Sequence, residues 1–137
     1  MTAGVGVLDT SAVIALPDLA SPDVLPDRPV ITTVTLAELS VGPLVAVDDD
    51  ERARRQRVLQ QAEADFVPLL FDASAARAFG RVAADLRRAG RKPAARSYDA
   101  MIAAVALSRG LPLYTANPRD FSGIADLIVV AVSTEPA

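Results

Sequence analysis

Residues 5–11 read Val5-Gly6-Val7-Leu8-Asp9-Thr10-Ser11, a short apolar run that ends in one acidic residue and two hydroxyl residues. A short apolar run bounded by polar residues is typical of a buried strand. Thr10 or Ser11 can cap a following helix, which Pro17 ends. The order therefore predicts a strand that carries Asp9 at its carboxyl end and leads directly into a helix.

Strands followed by helices are predicted along the rest of the chain as well. Further strands are predicted over 30–32, 66–70, 113–115 and 127–130. Helices are predicted after Thr33 or Thr35, over about 49–64, from Asp72 or Ser74 to Gly90, and over 100–109 after Ser97 or Asp99. Pro68 indicates that its strand is at an edge or at a strand start. Strands that alternate with helices in 137 residues predict one small α/β domain, with a mostly parallel sheet flanked by helices.

The composition excludes several classes of site. The chain has no Cys and no His, so disulfides, thiolate zinc sites and Ser-His or Cys-His nucleophile pairs are ruled out. A bound metal would have oxygen ligands only, which favours a hard cation such as Mg²⁺ or Mn²⁺. No apolar run is long enough to predict a membrane span, and residues 1–4 lack the basic start of a signal peptide. We therefore expect a cytosolic protein.

The charges are unevenly distributed. The net charge is −3, yet residues 52–109 carry twelve basic and five acidic residues. All but one of these basic residues are arginines, which form bidentate contacts to phosphate. The alternative interpretation is that they coat solvated helix faces.

Four separated acidic residues each have a local structural explanation. Asp9 fits a helix N-cap, and Glu38 fits a capping box with Thr35. Asp99 fits the first turn of its helix, where the helix dipole favours a negative charge. Asp120 fits the third position of a turn that Asn117 caps, with Pro118 at the first position.

Taken together, the four acids predict a metal site. Asp9 and the 117–120 segment both follow strands, and the carboxyl ends of parallel strands lie along one edge of a sheet. Glu38 and Asp99 lie in or near the first turns of helices that begin at that edge. Carboxylates that converge repel one another unless a cation neutralises them. The site would therefore bind one or two Mg²⁺ or Mn²⁺ ions, which polarise a phosphodiester and deprotonate a water.

Four motifs carry a resemblance to a known family. They are Val7-Leu8-Asp9-Thr10-Ser11-Ala12-Val13-Ile14-Ala15-Leu16, Thr35-Leu36-Ala37-Glu38-Leu39, Asp99-Ala100-Met101-Ile102-Ala103-Ala104-Val105-Ala106 and Thr115-Ala116-Asn117-Pro118-Arg119-Asp120-Phe121. In this order and spacing, over nearly the whole chain, the sequence resembles the PIN-domain family and in particular the VapC-type toxins of bacterial toxin–antitoxin pairs. The first and last motifs are moderately specific alone, and all four in order are highly specific.

The resemblance implies a single PIN domain over 1–137 with a three-layer fold, a homodimer, and Mg²⁺-dependent endoribonuclease activity on an RNA such as tRNA or rRNA. It also implies a cognate antitoxin that covers the active site.

The resemblance also implies roles for individual residues. Asp9 and Asp99 would be the principal metal ligands, and Glu38 and Asp120 would complete the acidic pocket. The remaining implied roles are hydrogen bonds from Thr10 and Ser11 to the ligand or to metal-bound water, and Asn117 at a position where some relatives have another acid. That departure bears on whether a second metal binds. Arg96, three residues before Asp99, is within reach of a substrate phosphate, or else it is a solvated surface residue.

Three alternatives remain at this stage. HAD-like phosphatases also place an Asp after a first strand, but they need a second Asp two residues on, where this chain has Ser11. Flap-type DNA nucleases use extra helical elements that this chain lacks. A PIN-like module that binds RNA or a partner without catalysis would keep the fold. Separately, the segment around 34–64 is a candidate apolar groove for a partner helix.

Overall fold

A five-stranded parallel sheet forms the centre of the molecule in the computed structural model, which describes residues 4–92 and 97–135. Neighbouring strands follow the order β3-β2-β1-β4-β5 and pair in parallel. The strands are β1 (Val5–Leu8), β2 (Arg28–Thr32), β3 (Pro68–Leu69), β4 (Leu113–Thr115) and β5 (Val129–Ala131). The predicted α/β fold with a parallel sheet is confirmed, and Pro68 does lie in an edge strand.

Five α-helices connect these strands in the described part of the chain. They are α1 (Thr10–Ala15), α2 (Thr33–Val41), α3 (Asp49–Asp65), α4 (Ala73–Arg88) and α5 (Ser97–Ser108). Short 3₁₀ turns occupy Leu16–Asp18, Pro22–Val24, Gly42–Val45 and Pro118–Phe121. Within the described residues, no helix is both long and apolar enough to cross a membrane.

Polar side chains cap four of the helices. The caps are Asp9, Thr32, Asp48 and Asp72, and each accepts a hydrogen bond from the backbone N–H three residues on. The first helix is therefore capped by Asp9, and not by Thr10 or Ser11. The predicted capping box of Thr35 and Glu38 is wrong, because the cap of α2 is Thr32, three residues earlier, and the helix begins at Thr33. Glu38 consequently lies in the second turn, where its carboxylate is available for another contact.

The core has two parts, one on each face of the sheet. Val7 and Leu8 are successive residues of β1, so their side chains point to opposite faces. Val7 packs in a cluster with residues of α4 and α5, and Leu8 packs in a second cluster with residues of α1, α2 and α3. Residues 102–106 of α5 are all buried, which confirms that this helix is central. Helices on both faces of one sheet make the three layers that the resemblance implied.

Helices α4 and α5 form an antiparallel pair. Arg109, which follows α5, donates hydrogen bonds to the Leu70 carbonyl and to the carboxylate of Asp72, the cap of α4. The end of α5 therefore lies beside the start of α4. By the same geometry, the end of α4 lies toward the start of α5, where Asp99 is located.

Candidate active site

Asp9 lies at the carboxyl end of β1, in the middle of the sheet and next to β4. Its side chain is almost fully enclosed, since the residue is only 3% exposed. Its Oδ1 accepts hydrogen bonds from the Ala12 N–H at 2.8 Å and from Ser11 Oγ at 2.7 Å. Its Oδ2 accepts a hydrogen bond from Thr115 Oγ1 at 2.6 Å. The carboxylate is thus held in one orientation from both sides.

The electrostatics of Asp9 connect it to a second predicted acid. Burial raises the pKa of Asp9 above its ordinary value, because a charged carboxylate is poorly solvated there. The hydrogen bonds from Thr115, Ala12 and Ser11 act in the opposite direction but do not cancel the effect of burial. The negative charge of Asp120 raises the pKa of Asp9 further. The structure therefore places Asp9 and Asp120 within electrostatic reach of each other, as the strand-edge argument predicted.

Thr115 and Ser11 join the ends of β1 and β4. Ser11 Oγ accepts a hydrogen bond from the Ala116 N–H at 3.0 Å and lies 3.2 Å from Thr115 Oγ1. Thr115 Oγ1 also accepts a hydrogen bond from the Asn117 N–H at 3.0 Å. The sequence prediction included Ser11 and missed Thr115. The available signal was that Thr115 is a hydroxyl residue at the end of a predicted strand and the first residue of the fourth motif.

Glu38 is oriented by the other hydroxyl that follows Asp9. Thr10 Oγ1 donates a hydrogen bond of 2.6 Å to Glu38 Oε1, and it lies 3.2 Å from Thr35 Oγ1. Consecutive hydroxyls thus diverge, with Thr10 contacting Glu38 on α2 and Ser11 contacting Asp9. Thr10 and Ser11 each donate a hydrogen bond to an acidic side chain, whereas their expected hydrogen bonds to a ligand or to metal-bound water stay a prediction.

The other predicted site residues differ in how far they are buried. Asp99 is half-buried in the first turn of α5, and Asp120 is half-buried in the turn 118–121. Pro118 is at the first position of that turn, as predicted. Asn117 is exposed, and its side chain does not cap the turn. Arg96 lies outside the described residues.

The acids have the right chemistry for a hard cation, but they are not gathered into one ligand cluster. Among residues 4–92 and 97–135, no group of three acidic side chains could hold a metal ion as the side chains stand. The available donors are carboxylate and hydroxyl oxygens, which suit Mg²⁺ or Mn²⁺, and a buried carboxylate such as Asp9 is stabilised by a nearby cation. The donor chemistry fits a divalent metal, and the ligand set of Asp9, Glu38, Asp99 and Asp120 stays a prediction.

A model of the PIN domain family matches residues 6–127, a range that includes all four motifs. The chain belongs to the PIN-domain family. The HAD-like alternative is thereby set aside, and the parallel sheet with its strand-end acids is that of a PIN domain.

Three relatives are similar over most of the PIN chain. It is 43% identical to ribonuclease VapC5 of Mycobacterium tuberculosis over 125 residues, which are 90% of each protein. It is 36% identical to the tRNA(fMet)-specific endonuclease VapC of Shigella flexneri over 97 residues, which cover 71% of this chain and 70% of that protein. A crystal structure of VapBC-5, a member of the VapBC family of toxin–antitoxin systems from M. tuberculosis, contains a chain with 41% identity and a TM-score of 0.81. That match covers 94% of this chain and 99% of the other.

Proposed function

We propose that this PIN-domain chain is a VapC-type toxin, an endoribonuclease that hydrolyses RNA phosphodiesters with a divalent metal, Mg²⁺ or in its place Mn²⁺. The observation that carries the proposal is the position of Asp9. It is buried at the junction of β1 and β4, fixed by three hydrogen bonds and close to Asp120. The 43% identity to a ribonuclease supports the same conclusion. We further propose that the domain is a single unit over 1–137 that acts in the cytoplasm.

In the proposed mechanism, Asp9 and Asp99 would hold the metal, and Ser11 and Thr115 keep the Asp9 carboxylate in one orientation. When bound, the cation polarises the phosphodiester and makes a water easier to deprotonate. Thr10 fixes Glu38 Oε1, so Glu38 is placed to accept a proton from the attacking water. Asp120 is the second acid that could orient this water. Since the chain has no His, the proton on the leaving oxygen would come from water or from another group bound to the metal.

The main alternative is a PIN-like module that binds RNA or a partner without cutting it. The two functions separate in one assay with purified protein and labelled RNA. The nuclease degrades RNA, EDTA stops the degradation, and added Mg²⁺ restores it, whereas an inactive module leaves the RNA intact throughout. Asp99→Asn is the control for contaminating nuclease, because the fold should survive a substitution of similar size at a half-buried position in the first turn of α5. Full activity in EDTA or in Asp99→Asn would refute the proposal.

The proposed substrate class is tRNA or rRNA. The tRNA(fMet)-specific relative supports this class because it is a tRNA nuclease of the same family. The RNA and the cleavage site can be identified by sequencing the 5′ ends created after brief expression of the chain in cells. New ends in messenger RNA alone would contradict the proposed class.

The proposed partner is an antitoxin that occupies the groove between α1, α2 and α3. This groove has a volume of about 810 Å³ and joins apolar side chains to the acidic pocket, because Glu38 and Thr10 lie in its wall. Its apolar lining includes Val13, Ile14, Leu39, Val58 and Phe66. A chain seated there would lie beside Glu38 and block access of RNA to the pocket. The VapBC-5 structure, which is of a toxin–antitoxin system, supports a partner of this kind.

Purification of the chain together with the product of its neighbouring gene tests the partner. We expect a stable complex that does not cut RNA, and we expect Ile14→Asp, which places a charge in the groove wall, to weaken it. Purification with no second chain would count against the antitoxin.

We also propose that the toxin is a homodimer. Its mass in solution, measured by light scattering, tests this.

A further inference from the structure

Two helices carry the same number of arginines but differ in net charge. Helix α3 has four arginines and five acidic residues, whereas α4 has four arginines and only Asp85. In α3, ion pairs join Arg52 to Asp49, and both Arg54 and Arg55 to Glu51. The arginines of α3 are therefore largely neutralised within their own helix. With four arginines and one acid, α4 by contrast has a net charge of +3.

Three of the four arginines of α4 line up on its outer face. Ala75, Ala78, Val82 and Leu86 pack into the core, and Arg77, Arg81 and Arg88 project from the opposite side at helical spacing. Arg77 and Arg81 are one turn apart, about 6 Å along the axis, and Arg88 is about 10 Å further. Favourable interaction with the helix dipole accounts for basic residues only in the last turn, so it does not explain Arg77 or Arg81.

A shallow hollow of about 330 Å³ lies on this face, between Arg81 and Arg88. Gly80 and Ala84 form part of its lining, and a side chain at Gly80 would meet no other atom within 4 Å. Asp85, the one acid of the helix, also lines the hollow and forms an ion pair with Arg88. Its side chain is 12% exposed, whereas that of Arg88 is 72% exposed, so the arginine and not the acid projects into solvent. Asp85 also accepts a 2.9 Å hydrogen bond from the Ala125 N–H, which lowers its pKa and holds it against the 121–125 loop. The surface offered to solvent is therefore basic.

The hollow is connected to the acidic pocket through this loop. Ala125 is five residues after Asp120, and Gly123 lies so close to Ala89, just after α4, that a Cβ at residue 123 would be 2.9 Å from the Ala89 Cβ. The end of α4 also lies toward the start of α5, which carries Asp99. A polyanion that enters the pocket can thus continue along α4.

We propose that the outer face of α4, defined by Arg77, Arg81 and Arg88 and called the arginine face, binds phosphate groups of the substrate RNA outside the stretch that enters the acidic pocket. The proposal rests on the nuclease function proposed above and extends it to the surface that holds the rest of the RNA. Charge complementarity supports this assignment. A chain of net charge −3 needs a local basic surface to hold a polyanion near an acidic pocket. The contacts would be to the backbone, so they would strengthen binding without reading the sequence.

The test uses Arg77→Gln/Arg81→Gln, since these two arginines make no ion pair with another described residue. The charge-retaining control is Arg77→Lys/Arg81→Lys, and the control for simple loss of two positive charges is Arg28→Gln/Arg52→Gln. Binding of single-stranded RNA is measured against salt in an Asp9→Asn background, which prevents cleavage. Cleavage of a long RNA and of a short oligonucleotide confined to the pocket is measured in the otherwise wild-type chain.

We expect the glutamine pair to bind about tenfold more weakly, with a slope of log affinity against log salt that is smaller by about 1.4. Its KM for the long RNA should rise, with kcat and cleavage of the short oligonucleotide unchanged, and both controls should resemble the wild type. Unchanged binding and slope, or an equal loss in Arg28→Gln/Arg52→Gln, would overturn the proposal. Loss of antitoxin binding with RNA binding intact would also overturn it, by showing that the arginine face binds protein. If the wild type neither binds nor cuts RNA, the proposed nuclease function itself fails. That result differs from the outcomes that overturn only the role of the arginine face, because in those the wild type still binds or cuts RNA.

Discussion

Asp9 and Glu38 are both acidic residues of the candidate site, but the protein holds them differently. Asp9 is almost fully buried, and both of its oxygens accept hydrogen bonds. Glu38 is half-buried, has one hydrogen bond from Thr10, and lies in the wall of the groove. The difference suggests a division of roles, in which Asp9 is a fixed ligand and Glu38 is an acid that meets solvent, substrate and partner.

The largest effect is expected from Asp9→Asn. The amide keeps the shape and most of the hydrogen bonds but removes the charge that would hold the metal, so cleavage should fall by at least about 10³-fold. Single-turnover cleavage of labelled RNA in Mg²⁺ measures this. Asp23→Asn, at an exposed position, is the matched control and should keep full activity. Wild-type rates in Asp9→Asn would remove the basis for distinguishing the two acids.

A smaller loss is expected from Glu38→Gln. If Glu38 accepts a proton from water and is not a principal ligand, kcat should fall by about 10²-fold, which is within the usual contribution of a general base. Affinity for Mn²⁺, measured by electron paramagnetic resonance, should change much less than in Asp9→Asn. Glu63→Gln, on the exposed side of α3, is the control. Equal loss of Mn²⁺ binding in the two active-site variants would show that both acids are ligands.

Loss of the hydroxyl that orients Asp9 should lower activity more than loss of the hydroxyl that orients Glu38. Thr115→Val removes the hydrogen bond to Asp9 Oδ2 without changing the shape of the side chain, and should lower activity by about 10- to 100-fold. Thr10→Val removes the single hydrogen bond to Glu38 and should cost less. The serine variants at both positions retain a hydroxyl and should restore most of the activity. A larger loss in Thr10→Val than in Thr115→Val would reverse the ranking.

The smallest effect is expected on stability, and it concerns Asp9 alone. Because burial raises the pKa of Asp9, the folded chain binds this proton more tightly than the unfolded chain does. The stability that this group contributes is fully present below its ordinary pKa of about 4 and is lost as the pH rises through the raised value. Asp9→Asn should therefore have a higher Tm than the wild type at about pH 7 in EDTA, with the gain shrinking toward about pH 4. A gain that is independent of pH would contradict this origin.

Much of the fold was predictable because it depends on short-range features. Apolar runs with polar ends indicated the strands, and the acidic or hydroxyl residues before α2, α3 and α4 indicated the helix starts to within a few residues. The error at Glu38 has a physical cause, since Thr32 and Thr35 are both good caps and only the β2 ladder decides where α2 begins. The last strand was placed slightly early for a similar reason, because pairing with β4 determines its bounds.

The candidate site was predictable only in part. Its acids stood out because a chain without His and Cys has few other groups for such chemistry, and their order matched a family. Thr115 was missed because its contact with Asp9 joins residues 106 positions apart. The difference between the arginines of α3 and α4 was accessible from the sequence, because the acids that pair with the α3 arginines lie three or four residues away in the same helix.

By itself, the sequence determined the fold class, the oxygen-only chemistry of any metal site and the four acids, because these depend on residue type, local capping and order along the chain. The tertiary structure decided which acid is buried with hydrogen bonds to both of its oxygens, and which is half-exposed in the groove wall. These properties arise from packing between distant segments, since burial and hydrogen bonding set the orientation and electrostatic environment of each side chain. Asp9 and Glu38 are both acids within recognisable motifs, and they differ because β4 covers Asp9 while α2 places Glu38 beside the groove.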